Sequence, residues 1–154
     1  MKWLPLSLLV VFLDQGTKLL ATHYLELNQP VPLLPVLNFT LMHNTGAAFS
    51  MLSQAGGWQR WFFIFLAVVI SAVIVIWLAN LPKHKRWMSC ALVLILGGAI
   101  GNLIDRVLLS YVVDFIDVYY QGWHWPAFNV ADSAISVGAV MLVIDTIWFN
   151  EDKN

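Results

Sequence analysis

Two stretches of the chain carry no charge over the thickness of a bilayer. Trp61–Leu78 is apolar or neutral at all 18 positions, and Trp87–Ile104 repeats the pattern before closing on Asp105-Arg106. That length suffices for a membrane-spanning helix. Two further runs of similar length are interrupted by charge: Trp3–Ala21 by Asp14 and Lys18, and Asn129–Phe149 by Asp132 and Asp145. The pattern predicts an integral membrane α-helical protein. It would be a four-transmembrane-helix bundle, with helices at about 3–21, 61–80, 87–109 and 129–149, in a single membrane domain over 1–154. Segments 22–60 and 110–128 then emerge on one side. The first run also resembles a signal peptide, with Lys2 ahead of an apolar core. Asp14-Gln15 follows that core directly, however, and no A-x-A-type cleavage site is present, so the run reads as a span.

Composition narrows the class. Hydrophobic residues make up 60% of the chain and charged residues 11%, against roughly 25% charged in soluble domains. An ordinary soluble enzyme is excluded. A formal net charge of −1 leaves no basic footprint for nucleic acid. Cys90 is the single cysteine, so no intrachain disulfide forms. His23, His43, His84 and His124 make no i,i+4 pair, so no metal site is expected and no cofactor is implied.

Orientation follows from Lys83-His84-Lys85-Arg86, a short basic loop between the second and third spans, which the positive-inside rule places in the cytoplasm. An even number of spans then puts both termini inside, and segments 22–60 and 110–128 outside. Trp3, Trp77, Trp87 and Trp148 fall at the proposed inner ends. Trp58, Trp61, Trp123 and Trp125 fall at the outer ends, as interfacial anchors should.

With this hand, polar groups from three spans gather in the outer leaflet. Asp14 lies roughly 17 Å along the first span, with Lys18 one turn further on the same face. Asn102, Asp105 and Arg106 occupy the outer third of the third span. Asp114 follows just outside it, and the fourth span opens with Asn129 and Asp132. Asp145 and Cys90 lie near inner ends, remote from the cluster. Asp117 reads as a solvated loop acid, and His43 and His124 read as loop residues. Outside the spans, Leu37–His43 alternates loosely and Tyr111–Val118 is β-branched and aromatic, so both are strand-like. Together they would form a small β platform on the membrane surface. Gly46 marks a tight turn or a close backbone approach.

The same polar residues lie in ordered strings: Leu13-Asp14-Gln15-Gly16-Thr17-Lys18, His43-Asn44-Thr45-Gly46-Ala47-Ala48-Phe49, Gly101-Asn102-Leu103-Ile104-Asp105-Arg106, Val112-Val113-Asp114-Phe115 and Phe128-Asn129-Val130-Ala131-Asp132-Ser133. In this order the chain resembles the bacterial lipoprotein signal peptidase (signal peptidase II) family along its whole length. The resemblance implies a membrane aspartyl endopeptidase of the bacterial inner membrane. Such an enzyme cuts the signal peptide from prolipoproteins before a diacylglyceryl-modified cysteine. The resemblance puts the catalytic pair at Asp114 and Asp132. It puts Asn44, Gly46, Asn102, Asp105, Arg106 and Asn129 in the surrounding site, and Asp14 and Lys18 at supporting positions. It also implies a small periplasmic β-cradle between helices 1 and 2 and an active site at the outer leaflet. Its implied partners are the prolipoprotein, membrane lipids and globomycin-type cyclic peptide inhibitors.

The chemistry suits a carboxylate pair. Two close acids cannot both ionise cheaply, so they hold one proton near neutral pH. The ionised member then activates water while the other donates a proton. A competing reading is a small transporter or proton-conducting protein built on the intramembrane Asp, Lys and Arg. Against it, the charges crowd one leaflet instead of crossing the bilayer. The topology is directly testable: a reporter at Lys85 should be cytoplasmic and one at Gly56 external. Finding both on one side would overturn the four-span arrangement.

Overall fold

The computed structural model describes residues 3–46 and 57–148. Lys2, Gly56 and Phe149 lie outside the described residues, as do Ala47, Ala48 and Phe49 of the second motif string. Four helices are long and apolar enough to cross a membrane: α1 (Leu4–Tyr24), α2 (Trp58–Asn80), α3 (Arg86–Leu108) and α4 (Val130–Trp148). α2 starts almost a turn before the predicted position. Gly57 turns the chain with φ +99°, and its N–H donates to the side-chain oxygen of Gln59 at 2.7 Å.

α3 is the central helix. It packs against each of the other three, and 56% of its most apolar window is buried, against 6% for α2. Ala91, Leu92, Val93 and Leu96 are buried on it, whereas Phe12, Leu19, Phe65 and Ile76 are exposed on the outer helices. This inside-out distribution suits lipid as the surrounding solvent. Small residues set the spacing. A Cβ at Gly98 would collide with the Ala131 carbonyl oxygen of α4, and one at Gly101 would stand 2.5 Å from the Asp14 carboxylate of α1.

One end of the bundle carries a four-stranded antiparallel sheet, ordered β1 (Pro30–Leu34), β2 (Leu37–Asn44), β3 (Val112–Tyr120) and β4 (Trp123–His124). The cradle expected between helices 1 and 2 is therefore completed by strands from the segment between helices 3 and 4. β1 lies at the edge, where Pro30 and Pro32 need donate to no neighbour. Gln121 and Gly122, at φ 49° and 82°, form the tight turn that joins β3 to β4. Ala21, Leu41, Val113 and Phe115 make an apolar cluster that seats the sheet on the end of α1.

Three expectations change here. His43 lies in β2, stacked on Tyr111 at 3.9 Å, and His124 lies in β4, so neither is a loop residue. Asp117 is not solvated: it is 3% exposed, within β3. The strands paired across the sheet supply donors that its local sequence does not reveal.

Candidate active site

The site grows from an ion cluster between α1 and α3. Asp14 and Lys18 share a face of α1 at i,i+4, and Lys18 Nζ lies 2.8 Å from Asp14 Oδ2. The same ammonium reaches Asp105 Oδ2 on α3 at 3.0 Å and donates to Asn102 Oδ1 at 3.0 Å. Its three protons are thereby satisfied, as a buried ammonium requires. The acids are held as fully. Asp14 Oδ1 accepts the N–H of Ala131 at the start of α4, at 2.9 Å, where the helix dipole favours an anion. Asp105 Oδ2 accepts the N–H of Val113 on β3 at 3.0 Å. Gln15 donates to Asp105 Oδ1 at 2.8 Å and to Asp14 Oδ2 at 3.2 Å. One cluster thus joins α1, α3, α4 and β3.

Asn102 carries this order toward the two acids. Its Oδ1 faces the ammonium, so its Nδ2 points the other way and donates to Asp132 Oδ1 at 2.8 Å. Asn129 does the equivalent for Asp114, donating from Nδ2 to Asp114 Oδ1 at 2.7 Å. Asn129 also starts α4. Its Oδ1 accepts the N–H of Asp132 at 2.9 Å, and Asp132 Oδ2 accepts the N–H of Asn129 at 3.3 Å. This reciprocal cap fixes both side chains at a helix N-terminus. One asparagine therefore touches both acids.

Asp114 stands on β3 beside a register irregularity in its pairing with β2. From Phe39↔Ile116 to Met42↔Asp114, β2 advances by three residues while β3 advances by two. Such a bulge re-aims side chains near sites. It brings Asn44 to Asp114, with Asn44 Nδ2 donating to Asp114 Oδ2 at 3.0 Å. Asn44 Oδ1 in turn accepts the N–H of Gly46 at 2.9 Å, a tight local turn. The Gly46 carbonyl accepts from Arg106 Nη2 at 3.0 Å. Burial, and then the nearby Asp132 carboxylate, push the Asp114 carboxyl up to about 7, against the lowering effect of Asn44 and Asn129.

Two clefts converge here. One of about 470 Å³ is lined by Asp114, Asn44, Met42 and His124. The other, of about 550 Å³, runs along α4 past Asp132, Asn102, Arg106, Ser133 and Ser136. They share Asn44 and Trp125-Pro126-Ala127 as walls. An extended chain crossing from one cleft to the other would pass both carboxylates.

This fold and this polar order have relatives. The sequence profile of the family described as "Signal peptidase (SPase) II" matches residues 6–148. The chain belongs to the signal peptidase II family. It is 56% identical to a lipoprotein signal peptidase of Acinetobacter baumannii over 151 residues, covering 98% of this chain and 86% of the other. It is also 56% identical to one from Teredinibacter turnerae over 148 residues, covering 96% and 88%. Among solved structures, "Bacterial membrane enzyme structure by the in meso method at 2.3 A resolution" matches with a TM-score of 0.86 and 32% identity, covering 96% of this chain and 88% of that one. The signal peptidase II chain is accordingly a multi-pass bacterial inner-membrane protein and a peptidase of aspartic type.

Every anticipated site residue of this signal peptidase II chain falls at the platform end. Asn44, Asn102, Asn129, Asp114 and Asp132 form one network, and Asp14, Lys18 and Asp105 lie behind it. Arg106 lies at the same end. Among the described residues it pairs with neither Asp14 nor Asp105, which Lys18 takes. It holds the Gly46 and Asn102 carbonyls and lies 5.1 Å above the Phe63 ring. Gln15 and Arg60 were not anticipated. Gln15 joins the two acids of the ion cluster, and its place beside Asp14 in the first motif string was the available signal. Arg60 binds the carbonyls of Arg106 and Val107 at the end of α3, each at 2.9 Å.

Asp14 and Asp105 are both buried against Lys18. Lys18→Met should therefore destabilise the fold by about 3–5 kcal/mol, the usual cost of stranding a buried charge. Thermal unfolding in detergent measures this. An unchanged midpoint would show that the cluster does not hold the helices together.

Proposed function

We propose that the protein is a lipoprotein signal peptidase in which Asp114 and Asp132 activate water to cut a prolipoprotein before its diacylglyceryl-modified cysteine. The observation that carries the reading is the pair of carboxylates, both hydrogen-bonded to Asn129, each lining one of two clefts that meet. Family membership supports the substrate class. An aspartic mechanism also needs no group the chain lacks. Among the described residues no three His, Cys, Asp or Glu side chains gather as a metal site, and Cys90 lies near the far end of α3.

In the proposed reaction the pair holds one proton. The ionised carboxyl takes a proton from water as the water oxygen attacks the scissile carbonyl carbon. The protonated carboxyl gives its proton to the carbonyl oxygen, producing a neutral gem-diol. Collapse returns a proton to the amide nitrogen, the C–N bond breaks, and the amine leaves with the modified cysteine at its new N-terminus. The two acids titrate as a coupled pair, so neither role is fixed to one residue. Asn44 and Arg106 stand where they can hold the peptide backbone across the clefts.

The proposed orientation places this end at the outer leaflet and both termini in the cytoplasm. It is supported by the basic loop 83–86 at the opposite end of the bundle. The cleft along α4 passes Ser133, Ser136 and Val137, which suits sideways entry of a signal helix and acyl chains. A globomycin-type cyclic peptide would compete for the same space.

Asp114→Asn and Asp132→Asn should each lower cleavage of a lipidated prolipoprotein by about a thousandfold or more, with the thermal midpoint preserved. Turnover near the parent rate in either purified variant would remove the dyad from the chemistry. The pH profile gives a second test. Asp114 titrates at about 7, so the singly protonated pair is lost as pH rises through that value, and kcat/KM should fall on the alkaline side. The hydrogen bond from Asn44 favours the ionised form. Asn44→Ala should therefore move the alkaline limb upward, and a downward shift would contradict this arrangement.

A further inference from the structure

The end of the bundle opposite the carboxylates holds a cavity of about 740 Å³ that the peptidase reading does not use. It lies between the start of α1, the end of α2 and the start of α3. Its apolar walls are Trp3, Leu4, Leu78, Leu81 and Val93, and its polar mouth is formed by Lys83 and Arg86. α1 and α2 each pack on α3 but have no extensive contact with one another, which leaves this wedge open.

The charge at its mouth is unbalanced. Among the described residues, Lys83, Lys85 and Arg86 enter no ion pair, and no acid lines the cavity. α3 begins at this point. Its N-terminus has no side-chain cap and no acidic residue in its first turn. Cations at a helix N-terminus oppose the helix dipole, where an anion would be favoured. Lys83 and Arg86, both exposed, thus meet a partial positive charge in place of a compensating one.

We infer that this cavity is a binding site for an anionic phospholipid. Its headgroup phosphate would sit between Lys83, Arg86 and the N-terminus of α3. One acyl chain would lie in the wedge against Leu4, Leu78 and Leu81. Charge complementarity selects the headgroup, the apolar depth selects the chain, and Trp3 and Trp87 mark the same interfacial level. Basic pockets between transmembrane helices bind anionic headgroups by this combination. The site is separate from the carboxylate network, so it is testable without reference to cleavage.

The test uses the purified full chain in neutral detergent, with the thermal midpoint read after adding phosphatidylglycerol, phosphatidylethanolamine or inorganic phosphate. Phosphatidylglycerol at about a hundredfold its dissociation constant should raise the midpoint by about 5 °C or more. Phosphatidylethanolamine and phosphate should not. The double variant Lys83→Gln/Arg86→Gln should lose the response. Ala79→Trp, which fills the wedge while keeping both cations, should lose it too. An equal response to both phospholipids would overturn the charge selection, and a response to phosphate alone would overturn the lipid. A parent-like response in either variant would overturn the site, leaving the basic loop as a topological signal only.

Discussion

The structure depends on one buried ammonium. Lys18 is 3% exposed, and a lone charge at that depth would cost several kcal/mol. It is tolerable because three acceptors from two helices close around it, and because their own remaining valences are met by α4 and β3. No subset of these elements satisfies the set. α1 alone supplies Asp14 but leaves one of its oxygens without the Ala131 amide. α3 alone leaves Asp105 without Lys18 or the Val113 amide. The cluster therefore favours a single relative register of three helices and a strand. The glycines of α3 enforce the close approach, since a larger residue at Gly101 would displace Asp14 itself.

The carboxylate pair inherits its order from this cluster through two amides. An asparagine side chain presents an acceptor and a donor on opposite branches, so fixing one fixes the other. Lys18 fixes the acceptor of Asn102 and so aims its donor at Asp132. Capping α4 fixes the acceptor of Asn129 and so aims its donor at Asp114. The ion pairs of Lys18 with Asp14 and Asp105 remain behind these neutral relays, out of direct contact with the two acids. Asp114 keeps a carboxyl that titrates near neutrality because it is buried and faces the Asp132 carboxylate, which the amides of Asn44 and Asn129 and the more distant Lys18 only partly offset.

Spans and helical spacings were the legible part of the sequence. An apolar run of sufficient length has few alternatives, and i,i+4 or i,i+3 spacing puts Asp14 beside Lys18 and Asn129 beside Asp132 whatever the rest of the fold does. Contacts between distant segments were not legible. Asp117 looked like a surface acid because its partners lie elsewhere: Asn38 and Thr40 are 79 and 77 residues away, and His124 comes back across a hairpin. Burial opposes its charge, yet hydrogen bonds from His124, Asn38 and Thr40 outweigh that and hold its carboxyl below the usual range. It ties three strands of the platform together, whereas Asp114, three residues earlier, meets only amides and a second acid. Their opposite titration follows from burial and the Asp132 carboxylate at Asp114 and from cross-strand donors at Asp117, none of which a local pattern encodes. The β4 strand, two residues long, carries no periodicity at all.

The two ends of the bundle solve the problem of charge near lipid in opposite ways. At the platform end, acids and cation are drawn inward and satisfied by protein groups, which fixes geometry at the expense of desolvation. At the basic end, the cations stay exposed and are left without acidic partners among the described residues. The first solution suits a site that must hold two carboxyls in place against an arriving substrate. The second suits an end whose partner is the membrane itself, where anionic headgroups are available in any number and a fixed protein acid would only compete with them. A carboxylate placed beside Arg86 would cap α3 and relieve its dipole, but it would also compete with lipid phosphates for the cations of the basic loop. Leaving that helix end uncapped fits the proposed lipid site, because a lipid phosphate would supply the missing anion without removing a positive residue from the chain.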